Sequence, residues 1–191
     1  MKNGKLFQKR IAIVATDGFE EAELLEPRAA LEKAGATVDI VSIKKGKIKA
    51  WKGSSWGKQV SVSHTFADAD PDSYDGVMLP GGVMNADTIR NDKKAVGFVK
   101  RFAESGKPIA AICHAAWTLI ETGYVRGHAL TSWPSLRTDL ENAGAEWRDE
   151  KVVVDGSWVS SRKPSDIPAF NKKMIESLAA VGREAPYATY E

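Results

Sequence analysis

Two short apolar runs on either side of a helix-length segment constrain the fold of this chain most strongly. The first, residues 10–15, is β-branched and apolar after its opening arginine, which is typical of a parallel strand covered on both faces. A helical pattern follows over about residues 20–34, Gly35 ends it, and a second strand is predicted over residues 38–43. Strand, helix and strand in this order form a βαβ unit, the building block of parallel α/β sheets.

The same alternation continues along the chain. Further strands are predicted from about Val60 and over residues 76–79 and 109–112, and a hairpin is predicted over 152–160, turning at Asp155 and Gly156. Further helices are predicted over residues 92–104, 114–122, 135–143 and 166–181, the last with Ser165 as its N-cap. Residues 44–58 are interpreted as an excursion or hairpin, and residues 67–74 as a loop or a single helical turn. We therefore expect one doubly wound α/β domain with a core over residues 9–180 and a loosely held tail over 182–191.

Composition excludes several classes of function. The 191 residues include 27 basic and 25 acidic side chains that are interleaved, so we expect no stable nucleic-acid binding. No apolar run reaches the length of a membrane span, and the first apolar run is too short for a signal peptide. A single cysteine excludes an internal disulfide, which favours a cytoplasmic location.

Neither a metal nor a cofactor is expected. The three histidines, His64, His114 and His128, are far apart in sequence and form no metal-ligand spacing with the one cysteine. The sequence also contains neither a Walker loop nor a G-x-G-x-x-G motif, so no nucleotide cofactor is implied.

Cys113 carries the strongest chemical signal. It directly follows the predicted strand 109–112 and precedes His114 and two alanines. A cysteine at a strand-to-helix turn projects from the carboxyl edge of the sheet, where open α/β sheets bind ligands. There the next backbone N–H and the helix dipole favour a thiolate and can hold an oxyanion. A lone cysteine after an apolar strand is also often a small buried hydrophobe, so both interpretations stay open.

Two other segments are predicted to end at the same edge of the sheet. Pro80, Gly81 and Gly82 end a strand, and the Gly82 N–H could complete an oxyanion hole with that of His114, although an ordinary turn also explains the glycines. Residues 17–23 are acidic, and acids in a first helical turn complement the helix dipole. A carboxyl that reaches the cysteine would instead have a raised pKa and could share a proton with the thiol.

Aromatic residues near the elbow are candidates for the wall of a pocket. Trp117 and Trp133 lie close in sequence to Cys113 and to the loop that follows, and most other tryptophans fit a core or a subunit contact. Glu20, in the acidic segment, is the third candidate for the pocket wall.

Four stretches, taken in order, resemble the PfpI family, the intracellular protease and deglycase branch of the class I glutamine amidotransferase-like superfamily that includes the parkinsonism-associated deglycase. They are DGFEEAEL at 17–24, LPGG at 79–82, AICH at 111–114 and VVDGSWVSSR at 153–162. The resemblance covers about residues 9–180 and implies a flavodoxin-like sandwich that forms a homodimer or, as the alternative, a hexamer. It implies that Cys113 is the nucleophile, His114 its adjacent histidine, Glu23 the glutamate that hydrogen-bonds the thiol, and Gly82 an oxyanion-hole glycine.

The resemblance is weakest directly after the glycine pair. In protease-like relatives a glutamate there, supplied by a neighbouring subunit, orients the histidine. Here residues 82–87 read GVMNAD, one residue longer before the match resumes. Asp87 is the nearest candidate for the third catalytic residue, and its side chain is shorter than that of glutamate.

The function implied is cysteine-dependent hydrolysis of carbonyl adducts. We expect a deglycase or glyoxalase-type enzyme that removes methylglyoxal or glyoxal from glycated proteins, nucleotides or small carbonyl compounds under stress. An intracellular cysteine peptidase acting on peptides is the alternative nearest to it. A non-enzymatic redox sensor or stress chaperone is the alternative from another class, because an exposed low-pKa thiol is also what peroxide oxidises.

Overall fold

A seven-stranded sheet organises the chain, of which the computed structural model describes residues 4–180. The predicted tail, 182–191, lies outside the described residues. The strands of the whole fold are β1 (Arg10–Val14), β2 (Phe19–Glu20), β3 (Thr37–Ser42), β4 (Lys47–Lys52), β5 (Ser55–Ser61), β6 (His64–Thr65), β7 (Gly76–Leu79), β8 (Ile109–Ile112), β9 (Ala129–Leu130), β10 (Glu146–Trp147), β11 (Val152–Asp155) and β12 (Trp158–Ser161). The helices are α1 (Glu21–Lys33), α2 (Val83–Asn91), α3 (Lys93–Glu104), α4 (Ala116–Thr122), α5 (Arg137–Asn142) and α6 (Ile167–Ala180).

The main sheet has the order β11-β12-β8-β7-β1-β3-β6. All of its neighbouring strands pair in parallel except β11 and β12, which form the predicted antiparallel hairpin. The predicted α/β class and mostly parallel sheet are therefore confirmed. Since β1, β7 and β8 are central neighbours, their carboxyl ends bring three chain segments to one edge of the sheet.

Helices cover both faces of this sheet, as the apolar central strands require. Alternate residues of β1 face opposite sides: Ile11 and Ile13 pack with α1 and α6, whereas Ala12 and Val14 pack with the layer that contains α2 to α5. Each layer is a cluster of buried side chains, so the carboxyl ends of β7 and β8 rest on a rigid support. Within residues 4–180, no helix is both long and apolar enough to cross a membrane.

Several predicted elements differ from the observed ones. Residues 83–91, for which no element was predicted, form α2, and the predicted helix 92–104 is the separate helix α3. The helix predicted from residue 114 begins at Ala116, after a 3-10 turn, and the one predicted from 135 begins at Arg137 for the same reason. The prediction of Ser165 as an N-cap was wrong, because Ser165 lies inside a 3-10 turn that leads into α6.

The excursion at residues 44–58 is a hairpin, made of β4 and β5, which pairs with β2 in a small three-stranded sheet. Within residues 67–74, which were predicted as a loop or a single helical turn, residues 71–73 form a single 3-10 turn. Three two-residue strands, β2, β9 and β10, had no sequence prediction, because a pair of residues shows no periodicity. The β2 pairing brings the β4–β5 hairpin beside the carboxyl edge of the main sheet.

Candidate active site

Cys113 occupies a strained turn between β8 and α4. Its φ angle is +63°, in the left-handed region that residues other than glycine seldom adopt. The turn is short because residues 113–115 form a single 3-10 turn directly after Ile112, the last residue of the strand. Its carbonyl oxygen accepts a hydrogen bond from the Trp133 N–H at 3.2 Å, which ties the elbow to the next loop. The elbow thus presents Sγ at the carboxyl edge of the sheet.

His114 reaches the sulfur in spite of being the next residue. Its Nδ1 atom lies 3.2 Å from Cys113 Sγ. The ring is stacked against Trp133 with centroids 5.9 Å apart, and Trp117 packs against it in a T-shaped arrangement with centroids 5.2 Å apart. Burial lowers the pKa of His114, so the imidazole is neutral at neutral pH and can accept a proton from the thiol.

Trp117 lies behind His114 and does not line the cavity that opens over the Cys113 sulfur, which corrects the predicted wall role. Its indole N–H donates to Asp139 at 2.9 Å, and the Arg90 guanidinium lies 5.3 Å from its ring centroid. Arg90 is itself paired with Glu121. Trp117 is therefore held on two sides and supports the histidine ring from behind.

Glu23, on the first turns of α1, is fully buried beside Cys113. Its Oε2 accepts the Gly81 N–H at 2.9 Å, and its Oε1 forms no hydrogen bond with another described residue. Burial raises the pKa of Glu23 to about 8, more than the Gly81 hydrogen bond lowers it. Glu23 is therefore largely protonated at neutral pH.

The thiol and this carboxyl titrate as one coupled group. Burial raises the pKa of Cys113, the Glu23 charge raises it further, and the backbone N–H groups of His114 and Gly82 oppose both effects. Two adjacent negative charges in a buried site are costly, so Glu23 and Cys113 hold at least one proton between them at neutral pH. With Glu23 protonated, its charge no longer opposes a thiolate, and the two N–H groups stabilise the negative sulfur.

The glycine pair is brought close to the sulfur by α2. Gly82 has a φ of +89° and is the N-cap of α2, where its N–H faces Sγ. A Cβ on Gly81 would lie 2.6 Å from the Cys113 Cβ, so only glycine fits there. Gly82 and His114 thus supply two backbone donors at one position, which is the arrangement of an oxyanion hole.

Asn85, which the sequence analysis missed, fixes this loop. Its Oδ1 accepts the Thr16 N–H at 2.7 Å, and its Nδ2 donates to the carbonyls of Pro80 and Gly81, both at 3.0 Å. Asn85 is buried, so each of these bonds is shielded from water. The sequence does show a polar residue three positions after the glycine pair. Its role can be inferred only once α2 is known to place it in the interior.

A cavity of about 450 Å³ opens over the sulfur. Of the predicted wall residues, Glu20 and Trp133 line it, together with Cys113, His114, Glu23 and Gly82. The other lining residues, which sequence reasoning missed as such, are Gly18, Trp51, Val83, Met84 and Pro164. Trp51 comes from the β4–β5 hairpin, far from the other site residues in sequence. The cavity is thus a mainly apolar chamber with one thiol, one imidazole and two carboxyl groups.

Asp87 lies apart from this group within the single chain. It is exposed on α2 and does not line the cavity, and its carbonyl accepts a hydrogen bond from the Asn91 side chain. Its predicted role was to reach the histidine of a second subunit, and that role stays a prediction. Within residues 4–180 no group of three histidine, cysteine, aspartate or glutamate side chains is placed to hold a metal ion.

The fold and the site together define an α/β protein with a cysteine on a strand–helix elbow and two backbone N–H groups that face its sulfur. Residues 9–177 match the model of the DJ-1/PfpI family, and the chain belongs to that family. The chain is 40% identical over 169 residues to Deglycase TK1284 of Thermococcus kodakarensis, covering 88% of this chain and 99% of the relative.

Two other relatives carry different names. Protein/nucleic acid deglycase 2 of Escherichia coli is 38% identical, over 90% of this chain and 99% of its own length. Putative cysteine protease YraA of Bacillus subtilis is also 38% identical, over 89% of this chain and 98% of its own length.

Solved structures agree with the fold. Drosophila melanogaster DJ-1beta superposes with a TM-score of 0.81 at 29% identity, covering 90% of each chain. The DJ-1/ThiJ/PfpI-like part of a two-domain protein from Anabaena variabilis gives 0.84 at 32% identity, over 90% of this chain. The chain spans about half, 48%, of that longer protein, whose other domain is ferritin-like.

Proposed function

We propose that this protein is a cysteine-dependent hydrolase that removes dicarbonyl adducts such as those of methylglyoxal. The observation that carries the proposal is the 3.2 Å contact between Cys113 Sγ and His114 Nδ1 beneath a mainly apolar cavity. The Gly82 and His114 N–H groups face the same sulfur. The deglycase names among the relatives supply the substrate class.

The reaction needs no redox cofactor. For a methylglyoxal hemithioacetal, RS–CH(OH)–CO–CH₃, moving a proton from the carbinol carbon to the ketone carbon, and the hydroxyl proton to the ketone oxygen, gives the lactoyl thioester RS–CO–CH(OH)–CH₃. The first carbon is oxidised and the second reduced, so the step is internally balanced. Hydrolysis of the thioester with one water then yields lactate and the free thiol RSH. Glu23, whose pKa of about 8 allows both protonation states, is the proposed proton carrier for the first step.

Cys113 performs the acyl transfer that follows. The thiol gives its proton to His114 Nδ1 as sulfur attacks the thioester carbonyl carbon, and the two backbone N–H groups hold the oxyanion. His114 returns the proton to the leaving thiol RS⁻, which leaves lactoyl-Cys113. Water attacks this intermediate, with His114 as the base, and regenerates the thiol.

Peptidase activity is the second candidate, because an acyl-Cys113 intermediate would serve amide hydrolysis too and a relative is named as a putative cysteine protease. The homodimer or hexamer expected from the resemblance would bear on this candidate, since Asp87 would act across subunits. A reducing compartment such as the cytoplasm would keep the lone thiol in the free state that either activity requires.

The test is a comparison of wild type with Cys113→Ala on methylglyoxal, a methylglyoxal-modified protein and a fluorogenic peptide. We expect turnover of the first two and a loss of at least about 10³-fold in the variant. Turnover of the peptide alone would replace the deglycase proposal with the peptidase. Full activity in Cys113→Ala would contradict both. Oxidation by micromolar peroxide without turnover of any substrate would instead support a sensor.

A further inference from the structure

One carboxylate in the cavity over Cys113, here called the catalytic cavity, shares it with no described lysine or arginine. Glu20 ends β2 and lines both the catalytic cavity and a second cavity of about 350 Å³ beside α1. Lys52 and Lys58 line the second cavity with Glu20 but not the catalytic cavity. Burial raises the pKa of Glu20, the Ala22 N–H opposes this effect, and the Glu21 charge adds to it. Its neighbour Glu21, in contrast, accepts the Lys58 N–H at 2.7 Å and pairs with Lys52 at 3.2 Å. Glu20 is thus a half-buried carboxylate that shares the catalytic cavity with no described lysine or arginine.

The rest of the catalytic cavity contributes no other fixed charge. Its described lining contains neither lysine nor arginine. His114 is neutral because burial lowers its pKa, and Glu23 is largely protonated because burial raises its pKa to about 8. Among the described side chains that line the cavity, Glu20 is therefore the main source of negative charge at neutral pH.

The walls around Glu20 suit a positively charged group. An unpaired carboxylate beside apolar surface carries a desolvation cost that an entering cation relieves. Trp51 and Trp133 also line the cavity, and aromatic faces attract ammonium and guanidinium groups. A carboxylate, sulfonate or phosphate in the same space would meet repulsion from Glu20 and would have no cation to bind.

We propose that Glu20 forms a cation subsite within the catalytic cavity. It binds an ammonium or guanidinium group of the ligand while the reactive carbon or sulfur of that ligand faces Cys113. Ligands that carry a positive charge near their reactive atom are therefore preferred over neutral ones, and anionic ones are disfavoured. The preference of the subsite among substrates rests on the proposed function. The preference of Cys113 for positively charged reagents does not depend on turnover.

The single cysteine allows a test that needs no enzymatic activity. Methanethiosulfonate reagents exist with a trimethylammonium, a hydroxyl or a sulfonate end on the same ethyl group. The Cys113 thiolate attacks the sulfenyl sulfur, a mixed disulfide forms, and methanesulfinate leaves, so each reagent forms the same kind of bond. Because the chain contains only this one thiol, the labelling rate reports on this cavity alone. Each rate is divided by the rate of the same reagent with free 2-mercaptoethanol.

In the wild type we expect the corrected rate for the cationic reagent to exceed that for the anionic reagent by about tenfold. Glu20→Gln keeps the shape of the side chain and should bring this ratio close to one. Glu32→Gln is the matched control, because Glu32 lies on α1 but pairs with Arg28, outside the cavity, so the ratio should stay at the wild-type value. A wild-type ratio near one, or a ratio that survives Glu20→Gln, would overturn the proposal.

Turnover extends the test to substrates. Methylglyoxal hemithioacetals of thiocholine, 2-mercaptoethanol and 2-mercaptoethanesulfonate carry the same reacting group with a positive, zero and negative charge. We expect kcat/KM to fall in that order in the wild type and to become nearly equal in Glu20→Gln. If none of the three is hydrolysed, the proposed function fails, and the labelling rates still show whether Glu20 forms a cation subsite. If all three are hydrolysed equally by the wild type, the subsite fails and the proposed function stands.

Discussion

Cys113 Sγ and His114 Nδ1 lie 3.2 Å apart although the two residues are adjacent in the chain. Neighbouring side chains on a regular helix or strand point away from each other. The +63° φ of Cys113 and the 3-10 turn that follows bring this pair together. The imidazole is thereby built into the same turn as the thiol.

The acid limb of the pH profile should lie below the ordinary histidine value of 6.5. Catalysis needs neutral His114 to accept the thiol proton, and burial lowers its pKa, so the neutral form persists to lower pH than in an exposed histidine. Measuring kcat/KM from pH 4 to 9 tests this. His114→Gln should remove this limb and reduce kcat/KM by about 10²- to 10³-fold. An acid limb above 6.5 would contradict a neutral, buried base.

Glu23 should make the protein less stable as pH rises from 4.5 to 8. The unfolded glutamate ionises near 4.5, whereas the folded one keeps its proton up to about 8, so the unfolded state binds fewer protons in this window. At pH 7 the cost approaches about 3 kcal/mol, at about 1.4 kcal/mol per pKa unit. Glu23→Gln should flatten the decline, as urea unfolding at pH 5, 6, 7 and 8 would show. A variant with the wild-type slope would mean that Glu23 ionises normally in the folded protein.

A methyl group at Gly81 should disable the site. The added Cβ would lie 2.6 Å from the Cys113 Cβ and close to the Glu23 carboxylate, so the elbow or the carboxyl must move. We expect Gly81→Ala to lower kcat by at least about 100-fold, because small misplacements at a reacting centre are costly. Gly97→Ala is the control: Gly97 lies in α3 with open space around its Cβ position, and alanine there should stabilise the helix by up to about 1 kcal/mol. Equal activity in the two variants would argue against close packing at the elbow.

Trp117 should act on kcat through the orientation of His114. Trp117→Leu removes the aromatic ring whose centroid lies 5.2 Å from that of the imidazole. We expect kcat to fall about tenfold because small misplacements at a reacting centre are costly. KM should change little, because Trp117 does not line the cavity. Trp117→Phe keeps an aromatic ring but loses the hydrogen bond to Asp139, so its kcat should lie between those of the wild type and Trp117→Leu. Steady-state kinetics separates the effects. A rise in KM alone would place Trp117 against the substrate instead.

The fold was largely predictable because it depends on apolar strands and glycine stops that recur along the chain. β1, β8 and the hairpin around Asp155 follow directly from such patterns, and so does the position of Cys113 at the end of a strand. α2 was missed because it starts immediately after two glycines and its buried face includes a polar residue, Asn85. Trp51 was missed as a site residue because pairing between β2 and β4, distant in sequence, brings it to the cavity.

Asn85 has a consequence for the motion of the site. Its side chain joins the amide of Thr16, just after β1, to the carbonyls of Pro80 and Gly81, just after β7. To move residues 80–82 away from Cys113, the protein must break these shielded bonds together, so we expect this opening to be a cooperative local unfolding event and not a loop fluctuation. The Thr16 and Gly81 amides should therefore exchange with deuterium slowly and at matching rates in the ligand-free protein.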